Sequence, residues 1–185
     1  MHEISLGYTI KDYLSGEEIE ATTYEDIRQA ITQMLVERKG FPEKNIQSKV
    51  RIDYEIEGRQ QKSTVDLTIF DNLQQAIMIV KFCAGSVETY VRETIAAARL
   101  LPHNPAKLAL LTDSKQAILI QVADGKILEE KGYYSIPTWE EVLALAQQCP
   151  EYVLNENKKA IESRLLYAYS ELACSSCSES ECNLI

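Results

Sequence analysis

Apolar residues recur at helical spacing through Ile27, Ile31, Met34 and Leu35, which predicts an amphipathic helix. Thr22 stands three residues before Glu25, the spacing of a capping box, and marks the start. Lys39-Gly40 supplies a basic last turn and a terminating glycine, and Pro42 keeps the helix from resuming. The pattern then changes to period two. Val50, Ile52, Tyr54 and Ile56 point one way, while Arg51, Asp53, Glu55 and Glu57 point the other. After a turn at Gly58, Val65, Leu67 and Ile69 alternate with Asp66, Thr68 and Phe70 as a second strand. Residues Ala76 to Cys83 are almost continuously apolar, as expected of a central strand covered on both faces.

The segment Ala84-Gly85-Ser86 breaks that strand, and an alanine-rich helix is expected from about Val87 to Leu101. Ala96, Ala97 and Ala98 are small enough to let it lie close on a sheet. Leu108–Leu111 and Ala117–Val122 read as further strands, with Asp124-Gly125 as a hairpin signal leading to Ile127. Thr138 caps a helix that ends near Gln148, before Pro150. Leu154, Ile161, Leu165, Tyr169 and Leu172 mark a long final helix. Residues 1–20 are polar and irregular, with one short strand expected near Ile4–Leu6.

Three strands joined by short turns predict an antiparallel meander, and the helix before the fourth strand should cross over the sheet. The fold class is therefore α/β. The expected divisions are an N-terminal extension over 1–21, a core over 22–137, C-terminal helices over 138–173 and a flexible cysteine-containing tail over 174–185. A chain of 185 residues with 45% hydrophobic and 25% charged residues is ordinary globular material. The longest apolar run, Ala76–Val80, is too short to span a bilayer, and the acidic N-terminus lacks an apolar signal core. A cytoplasmic protein with no membrane partner is the expectation. The net charge of −9 changes the picture, because autonomous nucleic-acid binders usually carry a basic excess. It lowers the expectation of tight unaided DNA binding.

The helix–strand–strand–strand–helix–strand order resembles that of the PD-(D/E)xK nucleases, the restriction-endonuclease-like superfamily. Thr23–Gln33, Val65-Asp66-Leu67, Lys81–Ser86, Arg92–Leu101, Leu110–Asp113, Asp124–Lys126 and Ser135–Pro137 narrow the likeness. They are similar to the N-terminal domain of the restriction (R) subunit of type I restriction enzymes, in its small stand-alone group. That resemblance implies Asp66 as the Mg²⁺-binding aspartate, Lys81 as the catalytic lysine and Glu25 as an additional acid near the metal. It also implies DNA as a partner. The signature's second acid belongs at position 79, where this chain has Ile79, and an alkyl group coordinates nothing. One carboxylate would hold Mg²⁺ only weakly. Glu25, Asp53, Glu55 and Glu93 are the candidates for a migrated acid.

Each site residue also has a plainer reading. Asp66 could be a polar residue on a half-exposed strand, and Lys81 could snorkel at the strand end or pair with Asp66. Glu25 could serve only the capping box. Arg92 and Arg99, seven apart, share a helix face and could touch phosphate, with solvated surface or pairing to acids as the alternative. Cys174 and Cys177 have CxxC spacing, with Cys182 as a possible third zinc ligand and Cys149 or His103 as a fourth. Free tail thiols are the simpler expectation. Five cysteines and no export signal argue against a disulfide framework. No P-loop, dinucleotide glycine pattern or Ser–His–Asp arrangement is present. The sequence thus expects a nuclease-like domain whose missing acid and charge favour a binding or assembly role, with a protein partner or homo-oligomer. The alternative is an active Mg²⁺-dependent endonuclease with a migrated acid.

Overall fold

The computed structural model describes residues 4–83, 85–113 and 115–175, with side chains to residue 170. Its centre is a six-stranded sheet of β3 (Ile46–Ile56), β4 (Arg59–Phe70), β5 (Ala76–Phe82), β6 (Leu108–Thr112), β7 (Ala117–Gln121) and β8 (Ile127–Glu129), ordered as in the chain. β3, β4 and β5 form the antiparallel meander. Helix α2 (Val87–Arg99) makes the crossover, so β5 and β6 are parallel. β7 and β8 return antiparallel. This is the α/β order expected from the sequence.

Helices cover both faces of the sheet. Ile79, Ala109, Leu111, Ile118 and Ile120 pack with Ile95, Ala97 and Ala98 of α2 and Leu166 of α4 (Glu156–Ser175). The alternate positions Met78, Val80, Leu108, Leu110 and Leu119 pack with Ile31 and Leu35 of α1 (Glu25–Lys39) and Val142 and Ala146 of α3 (Trp139–Gln148). Burial on both faces is why β5 reads as an unbroken apolar run.

Local chemistry explains the element ends. Gly40 closes α1 in the left-handed conformation, at φ 75°. Glu57 and Gly58, at φ 51° and 78°, are the two-residue turn between β3 and β4, a geometry whose twist matches the strands. Thr138 and Glu141 complete a reciprocal capping box at α3. Thr138→Ala should lower stability by about 1 kcal/mol in chemical denaturation, and an unchanged midpoint would refute that role for the cap.

The N-terminus departs from expectation. Instead of an irregular segment with one short strand, β1 (Ser5–Lys11) and β2 (Glu18–Thr22) pair as a separate antiparallel hairpin. It is fastened to α1 through Asp12 and Gln29, where Gln29 Nε2 donates to Asp12 Oδ2 at 2.9 Å and Tyr13 N donates to Gln29 Oε1 at 2.7 Å. β3 and β4 also extend beyond the alternating stretches, to Ile46 and Arg59. Thr22 does not occupy the N-cap position, which falls on Tyr24 with no side-chain cap bond. The Thr22 hydroxyl nevertheless accepts from Glu25 N at 3.2 Å.

Candidate active site

Parallel pairing of β5 and β6 leaves their C-terminal ends side by side, with Cys83 N donating to Thr112 O at 2.9 Å. The N-terminus of α1 reaches the same end through Tyr24, whose ring lies 5.6 Å from that of Phe82. Asp66 arrives from β4. Extending the β4–β5 register one step past Leu67↔Val80 sets Asp66 opposite Lys81. The backbone fixes the aspartate, since Phe82 N donates to its Oδ2 at 2.8 Å.

Strand alternation breaks at this point. Val65 packs with Ile52 and Tyr54 against the α2–α4 core, whereas Leu67 and Ile69 pack in the α1–α3 core. Residues two apart on a regular strand share a face, so the change of face falls at Asp66. On β3, Ser48↔Leu67 and Val50↔Val65 flank Lys49, which takes the left-handed conformation at φ 53°. A non-glycine residue held there costs about 1–3 kcal/mol, and such irregularities re-aim side chains beside functional sites.

Glu93 supplies a second carboxylate from α2. Its Oε1 lies 2.5 Å from Lys81 Nζ, and the two side chains are 16% and 11% exposed. The pair is sheltered yet reachable from solvent. Asp66, Lys81 and Glu93 therefore converge on one corner, and their charges, with that of Asp113, reach the neighbouring Cys83 thiol. Burial raises the Tyr90 phenol, and the Glu93 carboxylate adds to the shift. Burial raises the Asp113 carboxyl, but N–H bonds from Gln116 and Lys115 outweigh it and leave the group below its usual range.

Cys83 is a buried free thiol. Burial pushes its thiol up to about 12, with the charges of Asp113, Glu93 and Asp66 adding and Lys81 opposing. Between the ordinary thiol value near 9 and about 12, the folded state keeps a proton that the unfolded state loses. Stability should therefore fall as pH rises through that window, a raised folded value being protective only below it. Urea midpoints measured from pH 8 to pH 10.5 should decline less in Cys83→Ala than in the wild type. Equal declines would refute the assignment.

The other acids do not join this corner. Glu25 is fully buried, paired with Arg28 and, at 3.1 Å, with Lys49, and its Oε1 accepts from Gln29 at 2.8 Å. These groups, with the bond from Glu25 N to the Thr22 hydroxyl, are the partners the structure gives Glu25. Asp53 pairs with Arg51 on an exposed stretch of β3, and Glu55 accepts from Gln60. Ile79 is wholly buried in the α2-side core.

Arg92 and Arg99 share a helix stripe but part company in three dimensions. Arg92 stays exposed. Arg99 is buried and donates to Val122 O, Ala123 O and, at 2.7 Å, Glu162 Oε1. A guanidinium committed to internal acceptors has no reach to phosphate, which corrects that candidate. Cys174, as a side chain, and Cys177 and Cys182 lie outside the described residues. Cys149 is buried, with its thiol on Gln121 Oε1 at 3.5 Å.

The fold is a mixed α/β domain, a six-stranded sheet covered by helices on both faces. Residues 23–137 match the family described as type I restriction enzyme R protein N terminus, and the chain belongs to that family. No curated protein matches it significantly. A cryo-electron-microscopy structure of a DrdV–DNA complex is similar at 20% identity and a TM-score of 0.45. The likeness covers 66% of this chain and 11% of that one. Among the described residues, no helix is long and apolar enough to cross a membrane.

Proposed function

We propose that this domain is a Mg²⁺-dependent DNA phosphodiesterase whose second metal-binding acid is Glu93, on the crossover helix, in place of an acid at position 79. The observation that carries the reading is the Lys81–Glu93 contact beside Asp66. Ile79 and the net charge favoured loss of cleavage at the level of sequence. The convergence of a second carboxylate on Lys81 weighs the other way, and membership of the restriction family favours DNA as the substrate class.

The donor set suits the ion. Among the described residues no group of three potential ligands forms a metal cage, and Mg²⁺ is commonly held by one or two carboxylates with waters and substrate phosphate completing the shell. Asp66 and Glu93 would hold it, and it would supply polarisation of the phosphodiester and acidification of a water. Asp66 is preset for this by the Phe82 N–H. Lys81, in the same corner, would stabilise charge developing on the phosphate. Glu93 also neutralises Lys81.

The test is calorimetric titration of Mg²⁺ and Mn²⁺ alongside nicking of supercoiled plasmid. Saturable binding with metal-dependent nicking is expected. Metal binding without nicking, or neither, would overturn the catalytic reading in favour of a binding or assembly module.

A further inference from the structure

Past the β8 edge of the sheet the chain holds a pair of tyrosines out in solvent. Tyr134 is 92% exposed and Tyr133 45%. Large aromatic rings normally gain by burial, and a loose loop tip would be the simple explanation. This turn is anchored instead. Ser135 N donates to Gly132 O at 2.9 Å, Ile136 N to Tyr133 O at 3.2 Å, and Lys131 N to the Ser135 hydroxyl. Ser135 and Ile136 are buried, and Lys39 Nζ donates to Ile136 O at 2.5 Å. Gly132, at φ 61°, sits so close to the β6–β7 turn that an added Cβ would lie 3.2 Å from Lys115 O.

That last contact places the tyrosines. The β6–β7 turn carries Asp113 and Lys115 and follows Thr112, whose O accepts from Cys83 N at 2.9 Å at the corner. Across the sheet, β5 and β8 are separated by three strand spacings, about 14 Å, a span of a few nucleotides.

We propose that the Lys131–Ser135 turn is a stacking platform for single-stranded DNA, with Tyr134 and Tyr133 as its base-contacting residues. The proposal rests on the reading of the corner as a DNA phosphodiesterase and names the form of substrate it takes. Charge alone does not supply the attraction. Lys131 is paired with Glu129 at 2.8 Å, Lys115 lies beside Asp113, and the chain carries −9 overall. Ring stacking does not depend on net charge and is worth about 1–3 kcal/mol per base. Bases inside a duplex already hide their faces, so the strand must be single or splayed.

The experiment measures anisotropy of a fluorescein-labelled dT20 strand in EDTA, which prevents cleavage, and nicking with Mg²⁺ in parallel. Tyr134→Ala should weaken dT20 binding about 5- to 150-fold, the stacking range converted to affinity. Tyr134→Phe should stay within about twofold, because the ring is kept. At such exposure neither change should disturb the fold, and thermal unfolding serves as the control. Wild-type binding and nicking with no effect of Tyr134→Ala would overturn the platform and leave the catalytic reading standing. Equal loss in Tyr134→Phe, or equally tyrosine-dependent binding of a blunt duplex, would also overturn it. Ring-dependent dT20 binding with no nicking would support the platform while overturning the catalytic reading.

Discussion

Replacing Glu93 by glutamine is expected to remove most Mg²⁺ binding and to lower plasmid nicking by about 10²- to 10³-fold, because the cation that would stabilise the developing charge is no longer held. Glutamine keeps the length and hydrogen-bonding shape of the side chain but not its charge, so the change reads the charge. Asp66→Asn should behave the same way, because the two carboxylates form one donor set. Lys81→Met should differ. It releases Glu93 from its ion pair, so metal binding should be retained or strengthened while nicking is lost. The split between Glu93→Gln and Lys81→Met is the informative result. If Glu93→Gln nicks at the wild-type rate while Asp66→Asn does not, the second acid lies elsewhere and the assignment fails. Asp53→Asn and Glu55→Gln, on the exposed stretch of β3, should leave both properties unchanged.

The largest loss of stability is expected from unpairing Arg99 and Glu162. The two side chains are 10% and 5% exposed, and their contact joins α2 to α4. Tyr152 closes the cluster. Its hydroxyl donates to Glu162 Oε1 at 3.1 Å, and the Arg99 guanidinium lies 4.2 Å from its ring centroid. Glu162→Leu would leave a buried guanidinium without its counter-charge, and Arg99→Met would leave a buried carboxylate without its own. Removing one partner of a buried pair costs about 3–5 kcal/mol, which for a chain of this length lowers the unfolding midpoint by about 6–20 °C. The double change Arg99→Met with Glu162→Leu should cost clearly less than the sum of the singles, because it leaves no orphaned charge. Additive losses in a double-mutant cycle would refute the coupling.

Much of this architecture was legible in the sequence because the signals are local. The four-residue spacing of Ile27 and Ile31 and the neighbouring Leu35 describe α1, Ala76–Phe82 describes a doubly covered strand, and Thr138 with Glu141 describes a helix start. Element order then confines the topology, since short turns force antiparallel neighbours and a crossover helix permits a parallel one. Asp66 and Lys81 were candidates through the family resemblance, which attaches an aspartate to the second strand and a lysine to the third. The N-terminal hairpin escaped notice because β1 is almost wholly exposed and carries no buried alternation. Its place depends on Asp12 meeting Gln29, seventeen residues away in the chain.

What the sequence by itself determined is which segments are helix and strand, and that an aspartate and a lysine stand on adjacent strands with no acid at position 79. Which acid meets Lys81 was decided only by tertiary structure. Glu25 and Glu93 are equally acidic in the sequence. The rotation of each helix against the sheet delivers Glu93 to Lys81 and turns Glu25 toward Arg28 and Lys49. The same holds for the arginines. Helical periodicity placed Arg92 and Arg99 on one stripe, but α4 packs against α2 and takes Arg99 into its interface with Glu162 while Arg92 remains in solvent. Periodicity describes a face, and only packing decides what covers it.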